Sequence, residues 1–181
     1  MGEDEWAETL AHVKRDCGWA AERGVPVVPV KINNRWRTPP EIFSPLMAEF
    51  QFDLDAAADE QTALIHPYLN DALNLSDWPG YRVWLNPPYG RALERFVRRA
   101  AQEAHKGKLV VALIPLRGRA AWWHEAVIGR ATEVRCIRKR PKFLRPDGTR
   151  PKFTGSCDSC LVIWNGVCDK GTQLTSWSWV K

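Results

Sequence analysis

Asn86-Pro87-Pro88-Tyr89, within the stretch VWLNPPYG, combines residues that can handle a planar amino group. Asn86 brings a side-chain carbonyl acceptor, and the Pro87 carbonyl can supply a second. Pro87 and Pro88 have fixed φ and no N–H, so the loop is rigid and its carbonyls point in set directions. Tyr89 offers a flat ring for stacking. A rigid turn with no chemistry is the plain alternative, because Pro-Pro-Tyr tripeptides are common. The strand-like run Val83-Trp84-Leu85 before the motif, and Gly90 after it, favour a functional loop.

The chemistry such a loop could perform is specific. The lone pair of an amino group on an aromatic base is delocalised into the ring, so the nitrogen is a poor nucleophile. Two acceptors that bind both of its hydrogens pull it toward tetrahedral geometry and localise the lone pair. Attack on an activated methyl group then needs no strong base, since the proton becomes acidic only afterwards. This is catalysis by positioning and electrostatics. A base inside a duplex must flip out to reach such a pocket, where Tyr89 would stack on it.

A rigid frame must present the loop. Tyr81 to Leu85 reads as a strand, and the apolar run KLVVALIPL (108–116) as a strand buried on both faces. Between them, ALERFVRRAAQEAHKG reads as a helix with Leu93, Phe96, Val97 and Ala100 on one face. FQFDLDAAA alternates Phe50, Phe52 and Leu54 against polar positions, a short strand ending near Asp55. RTPPEIFSPLMAEF reads as a helix, with Thr38 as N-cap, prolines in its first turn and Glu41 at the capping-box position. RAAWWHEAVIG is a further helix; ATEVRCI and SCLVIW are two more strands, expected as an antiparallel hairpin at one edge. The alternation predicts an α/β, doubly wound, Rossmann-like sheet. In such sheets ligands bind beyond the carboxyl ends of the strands, where Asn86 falls.

The organisation expected is an N-terminal helix and linker (1–34), one catalytic domain (35–165) and a C-terminal tail (166–181). The N-terminal helix would cover residues 5–22. The tail, with Trp177 and Trp179, could be an added edge strand or a Trp-anchored arm. At 181 residues, 45% hydrophobic, the chain can bury a real core. A net charge of +5 is compatible with nucleic acid without requiring it. No apolar run approaches a membrane span and the first residues are acidic, so a cytoplasmic protein with reduced thiols is expected. Cys157 and Cys160, with Cys168 and Cys136, form only one close pair where zinc sites normally have two, so no metal ligand set is assigned.

The order TPPEIF, FDLDAAAD, WLNPPYG, VVALIPLR resembles the phage-type Dam family of DNA adenine methyltransferases, from about Trp36 to Trp164. The resemblance implies a class I methyltransferase fold, S-adenosylmethionine as cofactor, and the 6-amino group of adenine in double-stranded DNA as substrate, in a bacterial cell or phage-infected host. It implies that Asn86, Pro87, Pro88 and Tyr89 hold the target adenine. It assigns the cofactor to Thr38, Pro39, Pro40, Asp53, Asp55, Ala56, Asp71 and Asn86. Asp55 would meet the methionine amino group or the ribose hydroxyls, and Asp71 the cofactor's adenine amino group. The sequence departs from the usual glycine-rich turn after the first strand, having AAADEQT instead. Few positions separate Asp55 from Asn86, which predicts a sheet trimmed on that side.

DNA would be held by the loop at 138–155. Residues 138–152 contain seven basic residues (Arg138, Lys139, Arg140, Lys142, Arg145, Arg150 and Lys152) and one acid, Asp147. Arg117 and Arg119 could also meet the backbone. Such side chains supply affinity without sequence preference, and a projecting loop can read base edges. The alternative for this loop is a solvated hairpin. Rival readings of the whole are an amino-methyltransferase acting on cytosine or a protein glutamine amide, and a silent DNA-binding module of the same fold. No obligatory protein partner is evident.

Overall fold

The computed structural model describes residues 36–152 and 157–179. The helix expected at 5–22 lies outside the described residues. Helix α1 (Pro40–Phe50) comes first, then strands β1 (Leu54–Asp55) and β2 (Arg82–Leu85). Helix α2 (Leu93–His105), strand β3 (Leu109–Pro115), helix α3 (Ala121–Ala126) and strands β4 (Glu133–Ile137), β5 (Ser159–Asn165) and β6 (Gln173–Trp177) complete it.

The strands form one six-stranded sheet in the order β1-β2-β3-β5-β4-β6. β1, β2 and β3 are parallel neighbours, and β5 lies antiparallel between β3 and β4. The antiparallel pair expected late in the chain is present, but not at the edge: β6 runs parallel to β4 outside it. The tail thus contributes an edge strand. Trp177 and Trp179 beyond it pack together, ring centres 6.1 Å apart, and cover the sheet's α1 face. On the other side β1 is the outermost strand, and the segment from β1 to β2 adds only a single bridge, Asp55 to Tyr68. That is the trimmed sheet the spacing predicts.

Strand alternation builds two cores. Val83, Leu85, Val110, Ala112, Ile114, Val162 and Trp164 face α2 and α3, packing on Phe96, Val97, Trp122 and Trp123. Trp84, Val111, Leu113, Leu161 and Ile163 face α1, packing on Ile42 and Leu46. The sheet is therefore buried on both faces in three layers, which accounts for the unbroken apolar runs of β3 and β5. Among the described residues no helix is long and apolar enough to cross a membrane.

One expectation about α1 is corrected. Its N-cap is Pro39, with no side-chain cap, and the first bonds run from the Ile42 and Phe43 N–H groups to the Pro39 carbonyl, both 3.0 Å. Pro39 and Pro40 carry no N–H, so fewer orphan donors need a cap. The Thr38 hydroxyl is buried without a hydrogen-bond partner among the described residues, and Glu41 pairs with Arg150 instead of closing a capping box.

Candidate active site and nucleic-acid face

β1 and β2 are too short to carry chemistry themselves, but their register sets their exits side by side: Asp55 pairs with Trp84, and the Ala56 N–H bonds to the Trp84 carbonyl at 2.9 Å. Asp55 and Asn86 therefore leave the sheet at the same carboxyl end. Thr38 comes over them from the start of α1. A small cleft there, about 200 Å³ of empty space out to its mouth, is lined by Trp36, Thr38, Asp55, Ala57, Thr62, Leu64, Trp84 and Asn86. Three residues singled out in the sequence, Thr38, Asp55 and Asn86, are thus brought together. Pro39, Pro40, Pro87 and Ala56 belong to the same segments without lining the cleft.

The cleft is electrostatically unfinished. Asp55 is 3% exposed. Among the described residues its carboxylate accepts only the backbone N–H groups of Leu64 and Ala57, at 3.2 and 3.4 Å. Burial pushes its pKa up to about 6, although both N–H bonds oppose the shift. The Thr38 hydroxyl, which lines the same cleft, has no partner among the described residues. The two together call for a ligand that brings hydrogen-bond donors or positive charge.

The NPPY loop is held by contacts to three neighbouring segments. The Asn86 amide nitrogen donates to the Trp36 carbonyl at 3.4 Å, which turns the side-chain oxygen the other way. The Pro88 carbonyl is taken by the Gly90 N–H at 3.1 Å. The Tyr89 hydroxyl donates to the Leu113 carbonyl of β3 at 3.1 Å, and burial raises its pKa. Phe143 meets the Tyr89 ring edge-on, 5.8 Å away at 90°. The ring is pinned at its hydroxyl and braced at its side.

Two other carboxylates lie elsewhere. Asp53 accepts the backbone N–H groups of Tyr81 and Arg82 at 2.9–3.2 Å, at the amino end of β2. This is possible because residue 80 is glycine: a Cβ there would stand 2.6 Å from the Asp53 oxygen and 2.4 Å from the Leu54 Cβ. Asp71 accepts the Asn74 amide at 2.7 and 3.0 Å in an exposed turn. Neither lines the cleft.

The basic loop leaves β4 at the same end of the sheet as Asn86, because β4 is parallel to β2 and β3. It is built, not loose. Arg37 and Leu144 exchange backbone hydrogen bonds of 2.8 and 2.9 Å, a turn closes from Arg145 to Thr149, and Arg150 forks onto Glu41. Arg140 pairs with Asp158 at 3.0 Å. Arg138, Lys139, Lys142 and Lys152 are exposed and form no ion pair with another described residue, and the exposed Arg117 and Arg119 follow β3 at the same end. The basic run of α2 is different: Lys108 is buried on Glu103, and Arg98 pairs with Glu94 and Glu125. Among the described residues no group of three or more His, Cys, Asp or Glu side chains is arranged to hold a metal. Cys160 faces Cys136 across β5 and β4 as a buried strand residue, its thiol pushed up by burial.

Sequence reasoning missed Trp36, Thr62 and Leu64 as cleft walls, and Phe143 as the brace of Tyr89. Trp36 carried a signal, since it adjoins the Thr38-Pro39-Pro40 segment. Phe143 reads in the sequence only as an aromatic among basic residues.

A sheet of this order, with a cleft and an NPPY loop at the carboxyl ends of adjacent parallel strands, defines a Rossmann-like methyltransferase fold. The sequence model of the DNA N-6-adenine-methyltransferase (Dam) family matches residues 27–179, and the chain belongs to that family. A DNA N-6-adenine-methyltransferase of Escherichia phage T1 is 33% identical over 102 residues, covering 54% of this chain and 42% of that protein. One of Haemophilus phage HP1 is 31% identical over 146 residues, covering 78% of this chain and 84% of that protein. The match thus spans under half the length of the T1 protein. No solved structure matches significantly.

Proposed function

We propose that this chain methylates the 6-amino group of adenine in double-stranded DNA, using S-adenosylmethionine. The observation that carries the reading is the cleft in which Asn86 stands beside Asp55, a buried carboxylate with no counter-charge among the described residues, and Thr38, a buried hydroxyl with no hydrogen-bond partner among them. Family membership supports the adenine and DNA parts of it.

S-adenosylmethionine fits what the cleft lacks: it bears an ammonium and two ribose hydroxyls, and when bound it supplies an electrophilic methyl group. Asp55 and Thr38 would hold it. Asn86 through its side-chain oxygen, and Pro87 through its carbonyl, would accept the two hydrogens of the target amino group and localise its lone pair. No base is needed before transfer; the proton leaves the nitrogen afterwards. Tyr89, braced by Phe143, would stack on the flipped adenine. Arg117, Arg119, Arg138, Lys139, Lys142 and Lys152 form the cationic rim that would meet phosphates.

The test is transfer of tritium from labelled S-adenosylmethionine to unmethylated duplex DNA, followed by digestion to nucleosides. Label in 6-methyladenosine supports the reading. Label in methylcytosine, or in added protein only, overturns the substrate.

A further inference from the structure

Residues 36–41 face two ways. Trp36 turns its carbonyl to the Asn86 amide, and Thr38 lines the cleft. Between them Arg37 pairs its backbone with Leu144 of the basic loop. Four residues after Arg37, Glu41 receives the Arg150 guanidinium in two bonds of 2.7 and 3.0 Å. One short segment is therefore both the wall of the cleft and the anchor of the loop. Arg150 is among the cations the sequence offers to phosphate, yet its fork is filled by a carboxylate. Bidentate Arg–carboxylate pairs are the ones that fix geometry, unlike most surface ion pairs. The bond from Arg150 also holds the Glu41 carboxyl below its usual range, so the pair stays charged at neutral pH.

We infer that Arg150 is a positioning residue, not a phosphate contact: its pair with Glu41 ties the basic loop to the cleft wall and couples filling of the cleft to DNA binding. The inference rests on the function proposed above. A ligand held by Thr38 and Asp55 restrains residues 36–41. Through the Arg37–Leu144 bonds and the Glu41–Arg150 fork, it restrains the loop that carries Arg138, Lys139 and Lys142. Ordering that DNA would otherwise have to impose is then partly in place before DNA arrives. By linkage the effect is reciprocal, so DNA tightens the cleft ligand by the same factor.

The experiment measures binding of a fluorescent duplex with and without S-adenosylhomocysteine, across a salt series, with amide exchange at Leu144 as an independent readout. The wild type should bind DNA about fivefold or more tightly with the small molecule present, the low end of usual coupling. Exchange at Leu144 should slow. Glu41→Gln and Arg150→Gln should each bring the ratio near one, and the charge-exchanged pair Glu41→Arg with Arg150→Glu should restore most of it. The salt slope of Arg150→Gln should match wild type, whereas Arg138→Gln should lower it by about one. An unchanged ratio in both single variants overturns the inference. So does a slope lowered by about one in Arg150→Gln but not in Glu41→Gln. Wild type that binds both ligands with no coupling overturns the inference alone; wild type that binds neither overturns the proposed function and the inference with it.

Discussion

Two carboxylates are buried at opposite ends of the sheet, and they are treated differently. Glu103, fully buried in α2, meets Lys106 at 2.8 Å, Lys108 at 2.7 Å and the Trp78 N–H at 3.1 Å. Burial pushes its carboxyl up, but the bonds from the two lysines outweigh it and the net direction is down. Lys108 is itself bonded to the Trp78 carbonyl and to Asp77, whose pKa the Lys108 and Lys106 bonds bring down to about 2. Asp55 is almost as deeply buried and, among the described residues, has two long backbone bonds and no cation. A carboxylate buried for structure brings its own counter-charge. One buried without it stores a demand that a ligand can meet. In that electrostatic sense the amino end of the sheet, with Asp53 also satisfied, is closed and the carboxyl end is open.

The contrast breaks if each end answers the other's mutation. The largest effect belongs to the closed end. Glu103→Ala removes the buried carboxylate that Lys106 and Lys108 share, leaves buried Lys108 with only the exposed Asp77 as counter-charge among the described residues, and should cost roughly 3–5 kcal/mol of unfolding free energy, read by urea denaturation. Turnover per folded molecule should stay unchanged. Asn86→Ala should do the reverse, cutting methyl transfer by about 10²–10³-fold, roughly 3–4 kcal/mol, while the urea midpoint holds. A loss of turnover in folded Glu103→Ala, or normal turnover in Asn86→Ala, would sink the division between the ends.

What the sequence disclosed follows the same division. β2, β3, β5 and α2 were legible because their burial is periodic or continuous, a pattern that local residues carry. The cleft residues Thr38, Asp55 and Asn86 were legible because they sit at element ends in a recognisable order. Asp53 and Asp55 look alike in FDLDA; only Gly80, far along the chain, decides that Asp53 is consumed by the amides of Tyr81 and Arg82. Thr38 reads as a cap until the two prolines are seen to leave little to cap. The Glu41–Arg150 pair joins residues 109 positions apart, and no local pattern announces it. β6 was ambiguous because an edge strand exposed on four of its five positions has no periodic apolar face.

Asp55 gives the pH-dependent test. Its folded pKa of about 6 lies above the unfolded value of 3.8, so protonation is favoured by folding. The stability it contributes is full below the unfolded value and is lost as pH rises through about 6. At about 1.36 kcal/mol per unit, the ligand-free protein should lose up to about 3 kcal/mol between pH 4 and 7 from this group. Asp55→Asn should flatten that dependence, melt higher at pH 7, and bind S-adenosylmethionine far more weakly. Thermal melts from pH 4 to 8 with both proteins check the sign; a steeper fall in the variant would mean the carboxylate is already compensated.

Thr38 gives the smallest effect. Its buried hydroxyl has no partner among the described residues, so Thr38→Val exchanges an unsatisfied group for a methyl of nearly the same shape. Removing an unsatisfied buried hydroxyl should stabilise the ligand-free protein by about 1–2 kcal/mol. The same change should weaken S-adenosylmethionine by up to about tenfold, the worth of one net hydrogen bond. Scanning calorimetry of the variant measures the first through its melting temperature, and titration calorimetry the second through its dissociation constant. Stability gained with affinity unchanged would place the ligand away from Thr38 and leave Asp55 to hold it alone. Stability lost would mean the hydroxyl is satisfied by water, and the open end of the sheet would then be defined by Asp55 and Asn86 only.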